Sequence, residues 1–182
     1  MNDTTPPPGT RWYELDGDNR LVGVDPGWDE FALANHAEQA CAAVVLGHRL
    51  DEFLRDDSTL MFVDAVLQAA RLTGRPRLVN YRCDAPEQSR RFQMRAVPLP
   101  GGHVRIEHLS AGQTARPLLP TYRYNPQARR LRCSQCLALR EPGGSWLAVD
   151  LQRADPRRPE PLEVAYGVCP PCARAGQAAL RA

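Results

Sequence analysis

Three stretches decide the fold: Leu78-Val-Asn-Tyr-Arg-Cys83, Arg90-Arg-Phe-Gln-Met-Arg-Ala-Val97 and His103-Val-Arg-Ile-Glu107. Each alternates apolar and polar residues with the two-residue period of a strand. Val79, Tyr81 and Cys83 share one face of the first, against Asn80 and Arg82. Phe92, Met94 and Ala96 share one face of the second, against Arg91, Gln93 and Arg95. Pro98-Leu-Pro-Gly-Gly102 turns the chain between the second and third. One apolar and one polar face per strand predicts an antiparallel sheet covered by helices on one side and wet on the other.

Upstream, Asp57-Ser58 offers caps for a helix that runs to about Thr73 and stops at Gly74. Leu60, Val63, Leu67 and Ala70 fall on one face of it, with Phe62 and Val66 beside them. Before this helix come a short apolar segment, Val44-Val-Leu-Gly-His48, and a short helix through Trp28, Phe31 and Ala32 that Asn35 interrupts. Earlier still, Arg11–Asp16 and Arg20–Asp25 alternate around Gly17-Asp18-Asn19, a hairpin signal. The order strand, strand, helices, strand, strand, strand is an α+β layout. Residues 1–10, Pro-rich and polar, are expected to be disordered, and residues 113–122 to form a linker.

The chain has 182 residues, enough for one domain and a small module. Every basic residue is arginine. Residues 1–110 carry 12 Arg and 16 acidic residues, net −4, whereas residues 111–182 carry 11 Arg and 5 acidic residues, net +6. That asymmetry supports a two-part chain. No apolar run is long enough to span a membrane, and the N-terminus lacks a secretory signal's basic and apolar regions, so a cytoplasmic location is expected.

The sharpest motif lies in the basic part. Cys133-Ser-Gln-Cys136 and Cys169-Pro-Pro-Cys172 are separated by 32 residues. Two residues between cysteines let both sulfurs face one ion, and two such knuckles complete a tetrahedral four-sulfur site. Thiolate donors select zinc over hard cations, and a closed four-cysteine site leaves no position for substrate, so structural Zn2+ on Cys133, Cys136, Cys169 and Cys172 is expected. Between the knuckles, Leu137–Arg140 and Trp146–Val149 flank Glu141-Pro-Gly-Gly-Ser145 as a hairpin, and residues 150–161 read as an exposed loop. Leu162–Val168 leads back to the second knuckle, and a helix with Pro171 at its first position follows.

Taken in order, residues 11–112 resemble a PAS domain. The resemblance is carried by Tyr13-Glu-Leu-Asp-Gly-Asp-Asn-Arg-Leu-Val-Gly-Val-Asp-Pro-Gly-Trp-Asp-Glu-Phe31, Val45-Leu-Gly-His-Arg-Leu50 and the strand and turn from Met94 to Gly102. It implies a five-stranded antiparallel sheet with helices on one face, and a sensory or interaction role without catalysis. Residues 123–182 resemble a treble-clef zinc finger, of the kind found behind bacterial sensory domains. Neither Cys41 nor Cys83 sits in the Asn-Cys-Arg helix motif of flavin photosensors, so adduct chemistry is not expected; both read as inert, Cys83 as a small apolar filler. Haem needs an axial ligand, and the histidines are His36, His48, His103 and His108. His108 shares parity with Val104 and Ile106, yet the preferred reading makes it a polar residue closing the strand end.

A stripe of Phe62, Val66, Tyr81, Phe92 and Met94 is the candidate PAS cavity, with core packing as the commoner role of such a stripe. The PAS ligand is unknown, and the domain can also work without one. No phosphate loop, histidine metal pair or nucleophile elbow is present. The functional expectation is therefore a non-catalytic bacterial signalling protein. A PAS-like domain senses a small ligand or binds a partner, and a zinc tail mediates protein interaction. A thiol-based redox sensor is the alternative. A nucleic-acid-binding module is another, supported by the interleaved Tyr122-Arg-Tyr-Asn-Pro-Gln-Ala-Arg-Arg-Leu-Arg132 and opposed by the absence of a dense basic helix face. Homodimerisation is left open, because PAS domains often pair through an N-terminal helix that residues 1–10 cannot form.

Overall fold

The computed structural model describes residues 6–7, 9–54, 56–84, 88–115, 120–154 and 160–181. Two strands, β1 (Arg11–Leu15) and β2 (Leu21–Val24), form the first hairpin. Its turn is held by Asp16, whose Oδ1 accepts from the backbone N–H of Asp18 and of Arg20, both at 2.9 Å. Helices α1 (Trp28–Ala34), α2 (Ala42–Val45) and α3 (Asp57–Thr73) follow. Then come β3 (Arg77–Arg82), β4 (Gln88–Pro98) and β5 (Val104–Ala115). These strands make one antiparallel sheet in the order β2-β1-β5-β4-β3, with the helices inserted between β2 and β3.

Helix α3 begins one residue earlier than an Asp57 cap allows and two earlier than a Ser58 cap. The N-cap is Asp56, whose carboxylate accepts from Thr59 N–H at 2.8 Å, and Asp57 is the first helical residue. Gly74 ends the helix as expected, in the left-handed conformation (φ 64°). The apolar side of α3 places Val66, Leu67 and Ala70 in a core with Leu15, Val79, Met94, Ala96, Val104 and Ile106 from the sheet. Arg71 ties the helix to the first hairpin by donating to the carbonyl of Asp16 and to Asn19 Oδ1, each at 2.8 Å.

Two features of the sheet depart from expectation. The far face of β5 is not wet: Glu107 is fully buried and Arg105 nearly so. Glu107 accepts from Arg105 Nε at 3.1 Å and from Arg95 Nη1 at 3.2 Å, and Arg105 also reaches Glu14 and lies over the Trp12 ring. Because β5 is the central strand, its charged residues are enclosed by neighbours on both sides and survive there as a paired network. Cys83, in contrast, lies beyond β3 and is exposed, so it fills no core.

Strand β5 continues to Ala115, into the segment expected as linker 113–122. Residues 116–119, and residues 1–5 and 8 of the expected disordered N-terminus, lie outside the described residues. The second part has a five-stranded sheet of its own. Its strands are β6 (Tyr122–Tyr124), β7 (Leu131–Cys133), β8 (Leu139–Arg140), β9 (Trp146–Leu147) and β10 (Leu162–Gly167), in the order β6-β10-β7-β8-β9. β10 runs parallel to both β6 and β7, while β8 and β9 form the expected hairpin. Helix α4 (Pro170–Arg181) closes the chain.

The two parts pack on each other. Gly176 of α4 meets α3 so closely that a Cβ there would lie 2.7 Å from the Phe62 ring. Ala179 and Leu180 reach the first core, and the N–H of Arg82 donates to the Gln135 carbonyl at 2.8 Å. Arg82 also pairs with Asp150 across the junction, at 3.2 Å. Among the described residues, no helix is long and apolar enough to cross a membrane.

Candidate metal centre

The first knuckle is built at the end of β7. Cys133 N–H donates to the Ala138 carbonyl at 2.7 Å, and Leu137 N–H donates back to the Cys133 carbonyl at 3.0 Å. Leu137 takes a left-handed conformation (φ 62°) to close this turn, an uncommon position for a branched residue that its burial helps to hold. The second knuckle opens helix α4. Pro170, rather than Pro171, is the first helical residue; Cys172 lies in the first turn, and Ala173 N–H donates to the Cys169 carbonyl at 2.9 Å. Neither proline needs a helical N–H partner at these positions. Ser134 N–H bonds the Gly167 carbonyl at 2.9 Å, joining one knuckle to the strand that leads into the other.

The result is one cluster. The sulfurs of Cys133, Cys136, Cys169 and Cys172 all lie within 4.8 Å of one another. Cys136 Sγ and Cys169 Sγ are 3.6 Å apart. Four sulfurs each about 2.3 Å from a central ion would be separated by roughly 3.8 Å, so the set fits a tetrahedral thiolate-bound ion. Cys133 and Cys169 are buried, whereas Cys136 and Cys172 are partly exposed. Ala138 and Trp146 pack beside the sulfurs.

The electrostatics are those of thiols crowded around one point. Hydrogen bonds from the Cys136 and Cys172 thiols hold Cys133 far below the ordinary thiol range, against the opposing effect of burial. The backbone N–H groups of Cys136 and Cys169 add to that stabilisation. Cys136, giving its proton toward Cys133, is pushed up to about 11, and Cys172 is raised further by the same sharing. With protons alone as counter-charge, the shared hydrogen bonds favour a thiolate at Cys133 and oppose ionisation of Cys136 and Cys172. A divalent cation removes that conflict by taking all four as thiolates.

One buried polar residue that ties the module together carries no local signal in the sequence. Gln152 falls in the stretch expected as an exposed loop, yet it is buried. Its Nε2 donates to the carbonyls of Leu137 and Leu147, and its Oε1 accepts from Tyr122 O–H, pinning the first knuckle to the hairpin and to β6. Residues 155–159 of that loop lie outside the described residues.

The residues proposed for a cavity are distributed differently. Val66 and Met94 are in the first core, and Phe62 packs at its edge against α4. Tyr81 and Phe92 stack at 5.4 Å and line a cleft between β3 and α4. His108 does not close a strand end. It faces inward with Val104 and Ile106, its ring 5.7 Å from that of Tyr13 and its Nδ1 2.8 Å from Tyr81 Oη. With Tyr81 O–H donating, Nδ1 is the acceptor and the ring is neutral.

Burial pushes the pKa of His108 down to about 4, from an ordinary 6.5. The unfolded chain therefore binds a proton that the folded chain refuses. The associated stability is complete above about pH 6.5 and is lost as pH falls toward 4. A loss on the order of 2 kcal/mol is expected over that interval. Urea midpoints at several pH values should fall more steeply in the wild type than in His108→Gln. Parallel slopes would mean that His108 is not held neutral.

No protein-family model matches this chain, and no curated protein matches it in sequence. The four-cysteine cluster and the packing around it are therefore the features of this chain that bear on its function.

Proposed function

We propose that this chain is a non-catalytic bacterial regulatory protein, in which a PAS-like domain is joined to a structural zinc module that docks a protein partner. The observation that carries this reading is the continuity from metal to core. The last metal ligand, Cys172, lies in the first turn of α4, and the other end of α4 packs Ala179 and Leu180 into the core of the first sheet. A metal so placed fastens the module to the domain it accompanies. The five-stranded antiparallel sheet with helices inserted after its second strand supports the PAS resemblance. The four-sulfur donor set supports zinc over harder cations.

Protein is favoured over nucleic acid as the partner because the aromatics of the Arg-rich approach are used internally. Tyr124 stacks on Tyr166 at 5.7 Å, Tyr122 lies 4.0 Å beneath the Arg132 guanidinium, and Arg123 pairs with Glu163. A redox role draws support from the partial exposure of Cys136 and Cys172, the two sulfurs that peroxide would reach first.

The test is photo-cross-linking in the native cell from an exposed position on α4, Arg174, followed by reconstitution with the purified partner. The expected result is one protein partner whose binding disappears in Cys133→Ser. Absence of such a partner, together with salt-sensitive DNA or RNA binding at sub-micromolar protein, would overturn this reading.

A further inference from the structure

We propose that the cleft between the metal module and the end of the first sheet binds a neutral, planar aromatic molecule bearing a hydrogen-bond-accepting oxygen. The cleft measures about 570 Å³, a volume typical of small-molecule sites. One wall is aromatic, formed by the stacked rings of Tyr81 and Phe92. The facing wall is α4, where Ala175, Gly176 and Ala179 present no bulky side chain. The space exists because the helix is small-sided there, and a flat ring stacked on Phe92 is the shape that fills it.

Gln135 supplies the polar element. It lines the cleft, is only 6% exposed, and its Nε2 is buried without an acceptor among the described residues. A buried donor left unpaired is costly, and a ligand carbonyl oxygen would satisfy it once the Gln135 amide turns toward the cleft. Charge narrows the class further. Among the described residues no carboxylate lines the cleft, so an amine finds no direct ion-pair partner on its walls. Cys136 and Cys172 also line it, and four thiolates around a divalent ion carry a net double negative charge. Arg91 at the same end offsets part of that charge, and Arg82 is already paired with Asp84 and Asp150, which leaves an anion no net advantage.

The site lies outside the domain interior and needs both parts of the chain, so a ligand there reads the junction that the metal maintains. The proposal rests on the four-cysteine centre being metal-loaded. For that reason zinc content is measured in the same sample as binding.

The experiment is a titration of the zinc-loaded full chain, followed by amide NMR shifts. The probe is 1-naphthamide, compared with naphthalene, 1-naphthoate and 1-naphthylmethylamine. Saturable shifts at Phe92, Gln135 and Ala175 are expected with naphthamide at sub-millimolar concentration, with about tenfold weaker binding of naphthalene and weaker binding of both charged probes. Gln135→Leu should bring naphthamide down to the level of naphthalene. Ala175→Trp, which fills the cleft from an exposed helix position, should abolish the shifts while zinc content and spectral dispersion are kept. With zinc present, the absence of saturable shifts would overturn the ligand site alone. Shifts that persist in Ala175→Trp, or tightest binding by the amine, would do the same. A well-dispersed spectrum from a zinc-free sample would overturn the metal reading and this site with it.

Discussion

Replacing Cys133 with serine is expected to strip the chain of its metal and to collapse the order of the second part. Cys133 is the most interior of the four sulfurs, fully buried and bonded by the backbone N–H of Cys169 at 3.4 Å. A module of about 60 residues buries little apolar surface on its own, and binding of structural zinc contributes on the order of 10 kcal/mol to folding such units. The loss would reach the first domain. Without the second knuckle α4 has no fixed start, Ala179 and Leu180 leave the core, and the N–H of Arg82 loses the Gln135 carbonyl. Exposing those side chains and the Phe62 edge should cost the first domain on the order of 3 kcal/mol. Amide exchange would read both effects, with protection lost throughout β7–β10 and α4 and reduced in β3. Serine at 133 with a full complement of zinc and unchanged protection would refute the account.

The second large effect is expected at Glu107→Ala. Glu107 is fully buried and accepts from Arg105 and Arg95 on the face of the sheet opposite α3. Among the described residues, Arg105 already has one buried nitrogen, Nη2, without a partner. Removing the carboxylate leaves a second, now charged, deficit in a site that water does not reach. Breaking a buried pair from one side typically costs about 3–5 kcal/mol. The low end applies here because Arg95 is 30% exposed and can turn to solvent. About 3 kcal/mol should lower the melting temperature by roughly 6–12 °C in a chain of this size. Restoring the balance with Glu107→Leu and Arg105→Leu together should recover much of that loss. If Glu107→Ala melts with the wild type, the network contributes nothing.

What the sequence made legible follows a physical divide. Local signals held: the Asp16–Asn19 turn, the stop at Gly74 and the hairpin around Glu141–Ser145 are all set by residues close in the chain. The two knuckles were legible for the same reason, since each is a four-residue unit. Long-range packing was not. Charges at alternate positions of β5 read as a wet face, and only the central place of that strand encloses Arg105 and Glu107 in a sealed network on that face. Asp56, Asp57 and Ser58 are all cap-forming residues, so residue type alone does not select Asp56.

The metal module shows the divide again. Nothing near Leu162 announces that β10 will insert between β6 and β7, because parallel pairing joins segments some 30–40 positions apart. Gln152 sits in a polar run and reads as solvent-exposed until the carbonyls of Leu137 and Leu147 are seen to close over it. Gly176 carries no local signal of its role, which is that its missing side chain admits the Phe62 ring. The sequence therefore carried the ligand set of the metal centre but not its attachment to the first sheet.

The attachment has meaning only if the centre holds metal. The most direct measurement is native mass spectrometry of the chain purified without chelators, compared with the same sample denatured. The account predicts a native mass one zinc ion above the polypeptide, with the excess lost on denaturation in acid. A metal-free native chain, lighter by the hydrogens of two disulfides among Cys133, Cys136, Cys169 and Cys172, would contradict it.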